Sequence, residues 1–362
     1  MAYYRAVTQS AASSAQRVGV LLVNLGTPDA PTYSAVQRYL REFLSDRRVI
    51  NTSRWIWLPL LYGIILPLRP LRTLRKYRKV WMPEGSPLAV YSQRLTAKVE
   101  TVLRDRLGSG IDVVLGMTYG NPSMPSAVEA LAQQGVRRLV VLPLYPQYCS
   151  STTGSVFDVC TRALRRWRWL PEVRWVNDYH TDEGYIDALT TSIRRHWDRQ
   201  GERTHLVFSY HGIPAAYVEE GDPYRDQAEA TTRAVAARLG LIEADFSHCY
   251  QSRFGSVVWL QPYTEDTLKA LIKLGVRKLT VVSPSFAVDC LETLEEVALD
   301  YRDKFLALGG ESLMLVPGLN DDDSHAEVLA GVVEKQLGGW VSAGDSVTRL
   351  DLPAQVTQHP VR

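Results

Sequence analysis

The chain is organised around the stretch Leu206-Val207-Phe208-Ser209-Tyr210-His211-Gly212-Ile213-Pro214, a run of strand-forming residues that ends in a histidine and a Gly-x-Pro turn. In a wound α/β sheet, the carboxyl end of such a strand lies at the edge where ligands bind. An imidazole at that edge suits proton transfer near neutral pH or the binding of a borderline metal ion. The alternative is that His211 merely caps its strand and is satisfied by a neighbour.

Strand and helix patterns alternate along the rest of the chain. Strand-forming runs occur at 17–24, 111–117, 138–142, 206–211, 278–282 and 312–316. Helical patterns are predicted at 32–43, 95–107, 125–134, 181–200, 224–239, 264–274, 290–308 and 324–337. This alternation is typical of an α/β protein with parallel, doubly wound sheets and helices on both faces.

The chain also repeats itself. Asn24-Leu25-Gly26-Thr27-Pro28 is echoed by Tyr210-His211-Gly212-Ile213-Pro214, and the strand that begins Gly135-Val136-Arg137 is echoed by Gly275-Val276-Arg277. Because the order of the two markers is kept, we predict two similar α/β domains that face each other. Their expected bounds are 17–175 and 176–340, with flexible tails at 1–16 and 341–362.

The first half carries an insertion at about 46–94. Its apolar run Trp55–Leu68 is too short to span a bilayer and is interrupted by two prolines and a glycine. A basic run follows, and we call Trp55–Lys79 the lip. It could be a buried helix followed by a solvated one, or an apolar surface beside a cationic strip. The second form would suit a membrane surface or a flat apolar ligand with carboxylates. The basic residues are Arg69, Arg72, Arg75, Lys76, Arg78 and Lys79.

Composition excludes several classes of protein. The 362 residues include 41 Lys and Arg against 39 Asp and Glu, a balance that argues against a general nucleic-acid binder. The four cysteines, at 149, 160, 249 and 290, have no short spacing and indicate reduced thiols rather than a disulfide framework. The polar first residues contain no secretory signal, so we expect a cytoplasmic protein.

A carboxylate row follows the second Gly-Val-Arg strand. Asp289 is placed to cap the helix predicted at 290–308, and Glu292 and Glu296 lie four residues apart on one face of it. Such a row can be no more than a solvated helix face. If it instead lies opposite His211, the imidazole and the carboxylates could take protons from a substrate, bind a divalent metal ion, or do both.

Several motifs, in the same order, are similar to those of the ferrochelatase family, over residues 17 to 337. The resemblance implies two Rossmann-like domains around a porphyrin cleft and an enzyme that inserts ferrous iron into a porphyrin to make heme. The motifs are Val23–Pro28, Leu144–Gly154, Ser209–Pro214, Tyr250–Gly255, Trp259–Pro262 and Asp289–Leu294.

The resemblance also implies roles for individual residues. His211 is the expected proton acceptor and iron contact, Glu292 an iron ligand or proton conduit, and Glu296 the next member of the acidic path. Arg69 and Ser86 fall in the region where the family holds the propionates. The remaining porphyrin-binding positions are Leu25, Tyr145, Ser151, Trp259, Phe286 and Asp289.

The resemblance carries further expectations about substrates, cofactors and partners. Ferrous iron is a substrate, and no cofactor is bound permanently. An iron–sulfur cluster is not expected, because no cysteine follows Cys290 and the four cysteines are widely spaced. Leu25 stands where protoporphyrin users carry Met or Leu and coproporphyrin users Tyr, so protoporphyrin IX is the expected substrate. We also expect peripheral membrane contact, at the inner face of the cell membrane, and transient contact with the preceding enzyme of heme synthesis.

Two other functions stay open. One is a chelatase of the same fold that inserts cobalt or nickel into another tetrapyrrole, although such enzymes tend to be shorter and to lack the lip. The other is a non-catalytic two-domain protein that closes on a metal ion or tetrapyrrole. That class would normally be exported.

Overall fold

The computed structural model describes residues 17–255 and 257–340. The tails predicted at 1–16 and 341–362 lie outside the described residues. Two four-stranded sheets, in which every pairing is parallel, form the centre of the molecule. The prediction of an α/β protein with two parallel sheets is therefore confirmed.

The first sheet has the strand order β2-β1-β3-β4. Its strands are β1 (Val18–Thr27), β2 (Ile111–Gly120), β3 (Arg138–Pro143) and β4 (Glu172–Trp175). The helices of this half are α1 (Tyr33–Ser45), α2 (Arg54–Leu60), α3 (Leu66–Val80), α4 (Pro87–Leu107), α5 (Met124–Gln133) and α6 (Ser155–Leu164). Two short π-helices, Leu61–Ile65 and Ser150–Gly154, lie between them.

The second sheet has the equivalent order β6-β5-β7-β8. Its strands are β5 (His205–His211), β6 (Phe246–Gln251), β7 (Lys278–Val282) and β8 (Ser312–Leu315). The helices are α7 (Glu183–Gln200), α8 (Ala215–Glu219), α9 (Tyr224–Leu239), α10 (Thr264–Lys273), α11 (Arg302–Ala307) and α12 (Asp323–Gln336). A ten-residue π-helix, Glu292–Tyr301, precedes α11.

The internal repeat extends beyond the two motifs seen in the sequence. Gly135 and Gly275 turn the chain into β3 and β7 with φ values of 81° and 87°, a backbone conformation that favours glycine. A cis proline, Pro122 in one half and Pro262 in the other, follows the second strand of each sheet. The Pro122 and Pro262 carbonyls accept hydrogen bonds from the backbone N–H groups of Met117 and Tyr250, at 2.7 and 2.8 Å. The two halves therefore share a backbone plan in detail.

Several elements were missing from the sequence prediction, and one was of the wrong type. The missing elements include helices α6 and α8, the π-helix Ser150–Gly154, and strands β4 and β6. Strand β6 reads Phe-Ser-His-Cys-Tyr-Gln and lacks a run of apolar residues. The helix predicted at 290–308 begins as a π-helix, whose i→i+5 hydrogen bonds give it more residues per turn. Apolar periodicity does not distinguish the two helix types over so short a segment.

The lip is a continuous helical segment built from α2, a π-helical turn and α3. Pro59 lies inside α2, and Pro67 in the first turn of α3, so each removes a helical N–H donor close to the π-helical turn. One face is buried through Trp57 and Leu61, whereas Trp55 on the other is 92% exposed. Both predicted forms therefore contribute: one face is core and the other is an apolar surface. Among the helices of the described ranges, none is long and apolar enough to cross a bilayer.

The two halves share one apolar core. A single cluster of buried side chains includes Leu22 of β1, Phe208 of β5 and Leu329 of α12. The C-terminal helix α12 packs against α4 of the first half as well as against α7. Lys98 of α4 pairs with Asp323 at 2.7 Å. The domain bounds 17–175 and 176–340 stay a prediction, but α12 bridges them.

Candidate active site

His211 is the last residue of β5, at the carboxyl edge of the second sheet. Its Nδ1 lies 2.7 Å from the Gly212 carbonyl oxygen. Because a carbonyl oxygen can only accept a hydrogen bond, this contact assigns the proton of the neutral ring to Nδ1. The Nε2 atom then carries the lone pair. The geometry thus prepares one imidazole nitrogen to accept a proton or to bind a metal ion.

Two aromatic rings lie beside the imidazole. The centroid of the Phe286 ring is 6.3 Å from that of His211 in an edge-on arrangement, and the centroid of Trp259 is 6.4 Å away. Trp259 is held by a 2.8 Å hydrogen bond from its indole Nε1 to the Phe254 carbonyl oxygen. The structure therefore brings three of the sequence-predicted site residues together and gives the imidazole apolar walls.

Gln251 connects the histidine strand to the acidic helix. Its carbonyl oxygen accepts a 2.8 Å hydrogen bond from the backbone N–H of Gly212, directly after His211. Its side-chain Nε2 donates to the carbonyl oxygen of Glu292 at 3.2 Å, and its Oε1 accepts from Ser209 Oγ at 2.7 Å. Gln251 is 1% exposed. In the sequence, Gln251 lies within the motif Tyr250–Gly255 but has no predicted role.

Glu292 begins the π-helix and acts electrostatically on the lip. Burial lowers the pKa of the Arg69 guanidinium, and the negative charge of Glu292 is one of two influences that oppose this shift. Burial also raises the pKa of the Tyr77 hydroxyl, and the same carboxylate adds to that effect. The Glu292 carboxylate is thus close enough to Arg69 and Tyr77 of the lip to influence both electrostatically.

Arg69 reaches from the lip to the second half of the chain. Its guanidinium carbon lies 4.7 Å from the centroid of the Phe254 ring, a cation–π contact. Its Nη1 is buried and has no hydrogen-bond partner within the described part of the chain. A buried guanidinium nitrogen without a partner is suited to an acidic ligand group.

Glu296 has partners of its own. Its carboxylate accepts hydrogen bonds from the backbone N–H of Ser252 at 2.9 Å, from Ser252 Oγ at 2.6 Å and from the Tyr301 hydroxyl at 2.8 Å. Ser252 adopts a φ of 66°, which is uncommon for a residue other than glycine. Asp300, further along the row, pairs with Lys304 at 2.9 Å. The row is therefore divided among different neighbours and is not a uniform solvated face.

Asp289 is turned into the protein. Its carboxylate accepts hydrogen bonds from Thr293 Oγ1 at 2.8 Å, Asn320 Nδ2 at 2.7 Å and the Gly318 N–H at 3.2 Å. Burial raises the pKa of Asp289, and these three donors oppose that shift. The expectation that Asp289 caps the helix was wrong in detail. Its helix contact is to the Thr293 side chain, because the helix begins later, after Leu291.

The first half contributes hydroxyl and apolar groups. The Tyr145 hydroxyl is buried without a hydrogen-bond partner among the described residues, and burial raises its pKa. Ser151 Oγ lies 3.1 Å from Cys149 Sγ, in the π-helix after β3. Leu25 is half-buried and packs against the main core and against the lip. Ser86 is buried at the start of α4, where its Oγ accepts a 3.3 Å bond from the Ala89 N–H.

Metal-binding side chains are sparse. All four cysteines are buried and unbridged. Within residues 17–255 and 257–340, no group of three His, Cys, Asp or Glu side chains is close enough to hold a metal ion. The site nevertheless holds one imidazole with a free lone pair and, beginning the adjoining helix, the carboxylate of Glu292.

Comparisons with known proteins agree with this arrangement. The ferrochelatase in Thioalkalivibrio sulfidiphilus is 48% identical over 330 residues, which cover 91% of this chain and 89% of that protein. The ferrochelatase in Vibrio atlanticus is 48% identical over 318 residues, which cover 88% of this chain and 98% of that protein.

Solved structures share the fold at much lower identity. SirB from Bacillus subtilis, solved with Fe³⁺, has a TM-score of 0.52 at 10% identity over 88% of this chain and 95% of that chain. The sirohydrochlorin chelatase SirB in complex with cobalt has a TM-score of 0.51, also at 10% identity, over 89% of this chain and 96% of that chain. At this identity, the likeness concerns the chelatase fold alone.

The model of the ferrochelatase family matches residues 17–337, nearly all of the described chain. That span contains both sheets, the lip and every site residue discussed above. The chain therefore belongs to the ferrochelatase family, the enzymes that insert ferrous iron into a porphyrin.

Proposed function

We propose that this chain carries out the ferrochelatase reaction in the cleft between the lip and His211, with protoporphyrin IX as its porphyrin. The observation that carries the proposal is the arrangement around His211. Its Nε2 has no hydrogen-bond partner among the described residues, two aromatic rings lie beside the imidazole, and Gln251 ties its strand to the residue that begins the acidic helix.

His211 acts as the base. A free porphyrin holds two N–H protons in its plane, and both must leave as Fe²⁺ binds the four nitrogens. Bending the macrocycle turns a pyrrole nitrogen out of the plane, so that its proton can reach the Nε2 lone pair. The hydrogen bond from Nδ1 to Gly212 supports the imidazolium that forms, because a charged ring donates more strongly.

Glu292 binds Fe²⁺ or accepts protons on the lip side of the cleft. A carboxylate beside an imidazole can ligate Fe²⁺ before insertion or accept protons that leave the porphyrin. Glu296 lies one turn further on, and the Ser252 and Tyr301 donors stabilise its negative form. The two carboxylates then provide a path along the π-helix from the cleft toward solvent.

Binding energy comes from groups away from the reacting nitrogens. Phe286 and Trp259 offer apolar contact to the macrocycle, at roughly 25 cal/mol for each Å² of apolar surface buried. Arg69, with its unpartnered Nη1, binds a propionate. Contacts of this kind can offset the strain of the bent porphyrin.

Leu25 favours protoporphyrin over coproporphyrin. Protoporphyrin carries vinyl groups where coproporphyrin has two further propionates, so it gains more from an apolar surround. Leu25 packs against both the core and the lip and supplies no group to pair with an extra carboxylate. Kinetics with both porphyrins test the assignment, and a higher kcat/KM for coproporphyrin III would reverse it.

The exposed face of the lip is proposed to rest on a membrane surface. Trp55, Ile56 and Leu68 are 92%, 66% and 60% exposed, and Val258 of the second half is 65% exposed. Contiguous exposed apolar groups of this kind mark interaction surfaces. Co-sedimentation with vesicles that contain anionic lipid should be strong for the wild type and weak for Trp55→Ser. Equal vesicle binding by the wild type and Trp55→Ser would show that the exposed face of the lip does not contact the membrane.

One experiment tests the reaction itself. Purified protein is mixed anaerobically with protoporphyrin IX and Fe²⁺, and the heme absorbance spectrum is followed. We expect turnover, and we expect slower or no insertion of Co²⁺ or Ni²⁺ into sirohydrochlorin. Turnover on sirohydrochlorin alone would favour the alternative tetrapyrrole chelatase. Binding without turnover on either substrate would favour the non-catalytic alternative.

The same preparation tests the cofactor proposal. The four cysteines are buried and lie far apart in the sequence, so we propose that the protein holds no iron–sulfur cluster. Acid-labile sulfide should be below one equivalent per chain. A stoichiometric amount in an anaerobic preparation would contradict this proposal.

A further inference from the structure

Glu295 lies on the same π-helix as Glu292 and Glu296 but is buried against the lip. It is 3% exposed, and each of its oxygens has a lysine partner. Lys76 Nζ lies 2.6 Å from Oε2, and Lys79 Nζ lies 3.0 Å from Oε1. In the sequence this residue was one more acid in a mixed helix, and the sequence analysis gave it no function.

Lys76 and Lys79 are well placed to hold the lip against the π-helix. They lie three residues apart in the last turns of α3 and therefore share a face of that helix. Their side chains are 46% and 55% exposed, whereas the Glu295 side chain is 4% exposed. A buried carboxylate is costly unless its charge is compensated, so the helix position is stable mainly while both lysines stay in contact.

Helix α3 transmits this contact to the cleft. Arg69 precedes Lys76 by seven residues, which is two helical turns, so both side chains lie near one face of α3. Arg69 is under the electrostatic influence of Glu292, and Lys76 pairs with Glu295. The lip is therefore paired directly with the π-helix at Glu295, and two turns away on the same helix Arg69 lies within the electrostatic influence of Glu292.

We infer that Glu295, Lys76 and Lys79 form a clamp that sets the distance between the lip and the π-helix, and with it the width of the porphyrin cleft. Glu295 is a positioning residue, because it acts through Arg69 and the lip. The inference rests on the proposed function only in taking the cleft as the porphyrin site.

The clamp also changes the interpretation of the basic run. Two of its six cations pair with Glu295, and the Arg69 guanidinium lies over the Phe254 ring. Arg72, Arg75 and Arg78 have no acidic partner in the described part of the chain, and all three are exposed. These three residues are the ones left to meet an anionic surface, so the clamp and any surface contact use different side chains.

The test measures porphyrin affinity directly, by quenching of protein fluorescence, beside steady-state kinetics. In Glu295→Gln we expect the Kd and the KM for protoporphyrin to rise about tenfold, with the KM for Fe²⁺ unchanged. A simple charge effect predicts the opposite change, a lower Kd for the porphyrin. Removing a negative charge should strengthen binding of an anionic porphyrin, so weaker binding reports the position of the lip.

A second variant covers the case in which Glu295→Gln folds poorly. Lys76→Met changes a half-exposed side chain and should raise the porphyrin Kd by a similar factor, whereas Arg75→Met, on the same helix but without an acidic partner, should leave it within twofold of the wild type. The triple reversal Glu295→Lys, Lys76→Glu, Lys79→Glu should restore part of the affinity.

The outcomes separate the clamp from other roles. An unchanged porphyrin Kd in both Glu295→Gln and Lys76→Met would refute the clamp, even if the melting temperature fell. An equal rise in the porphyrin Kd in Lys76→Met and Arg75→Met would show that only the loss of a positive charge matters. That result would also refute the clamp. Absence of wild-type turnover with a normal porphyrin Kd would overturn the proposed function while leaving the clamp testable through binding.

Discussion

The two halves of this chain build the same sheet but place different chemistry at its edge. In each half the second strand pairs with the first, the first with the third, and the third with the fourth. A π-helix follows the third strand in both. In the first half it is the five-residue Ser150–Gly154, rich in hydroxyl groups, and in the second it is the ten-residue, acidic Glu292–Tyr301.

The distribution of histidine sharpens this difference. All seven histidines lie at position 180 or beyond, so residues 1–175 contain none. The groups suited to proton transfer thus belong to the second half, while the first supplies the lip, Arg69 and uncharged side chains. The comparison teaches that the repeated backbone is a common scaffold. The side chains suited to acid–base chemistry lie in the second half, and side chains suited to substrate binding lie in the first.

The largest contrast is expected between the two π-helices. Glu292→Gln removes a charge with little change of volume and should lower kcat for iron insertion by roughly 10²–10⁴-fold, the range for loss of an acid–base group. Ser151→Ala, in the π-helix of the first half, should lower kcat less than tenfold.

Rates of the two variants are compared under anaerobic conditions, with circular dichroism as the control for folding. If Ser151→Ala is as damaged as Glu292→Gln, the division of labour between the halves is wrong. A wild-type rate for Glu292→Gln would show that Glu292 takes no part in the reaction, as expected if the acidic row is only a solvated helix face.

Gly26, near the end of β1, and Gly212, directly after β5, should differ in how much stability the protein loses when each is replaced by alanine. A Cβ at Gly26 would lie 1.7 Å from the Tyr119 carbonyl oxygen, and its φ is 107°. A Cβ at Gly212 would lie 2.9 Å from the Gln251 carbonyl oxygen and 3.1 Å from the Trp259 ring, without a positive φ. We therefore expect Gly26→Ala to lose about 3 kcal/mol of unfolding free energy and Gly212→Ala about 1 kcal/mol.

Urea unfolding at fixed pH measures both variants. Gly212→Ala should also lose activity, because its new methyl group presses on the residues that hold His211 and Trp259. Equal loss of stability at the two sites would mean that the close approach of β1 to β2 has no special cost.

A further effect concerns the pH dependence of stability and should arise in the second half. Burial lowers the pKa of His325 from 6.5 to about 4, and its Nδ1 donates to the Asn320 carbonyl oxygen. The unfolded state then binds more protons between these values, so stability is fully present above 6.5 and is lost as the pH falls toward 4. At about pH 5 the loss from this residue should be roughly 2 kcal/mol.

The difference between the wild type and His325→Gln isolates this contribution. Two other buried groups with shifted pKa values contribute to the pH dependence as well. His248 has a pKa lowered to about 4 by burial and acts in the same direction. Asp289 acts in the opposite direction, because its raised pKa favours the folded state at low pH. If the unfolding free energy decreases by the same amount in both proteins as the pH is lowered from 6.5 to 4, His325 is not the titrating group.

The sequence allowed much of the scaffold to be predicted. Six strands were recognised because each has a short apolar run, and the repeat was found because glycine is needed at equivalent turns. Strand β6 was missed since its Ser247-His248-Cys249 segment is not a run of apolar residues. The π-helix was missed for another reason: its hydrogen-bond pattern depends on packing and leaves no mark on the apolar periodicity.

The site was predictable to a similar degree. A histidine at a strand end marked His211, a row of carboxylates on the helix after the second Gly-Val-Arg strand marked Glu292, and the resemblance to a family supplied the porphyrin positions. The roles of Gln251 and Glu295 depend on contacts between residues far apart in the sequence, such as that between Glu295 and Lys76. Local pattern cannot show such contacts, so a carboxylate that clamps two elements looks like one that faces solvent.

The most direct test of the account concerns His211. Wild type, His211→Ala and the control His180→Ala are given protoporphyrin IX and Fe²⁺ under anaerobic conditions, and initial rates of heme formation are compared. His180 pairs with Asp178 and takes no part in the proposed site. We expect His211→Ala to bind porphyrin with near wild-type affinity and to form heme at least a hundredfold more slowly, with His180→Ala unaffected. Heme formation by His211→Ala at a rate close to the wild type would contradict the assignment of His211 as the base.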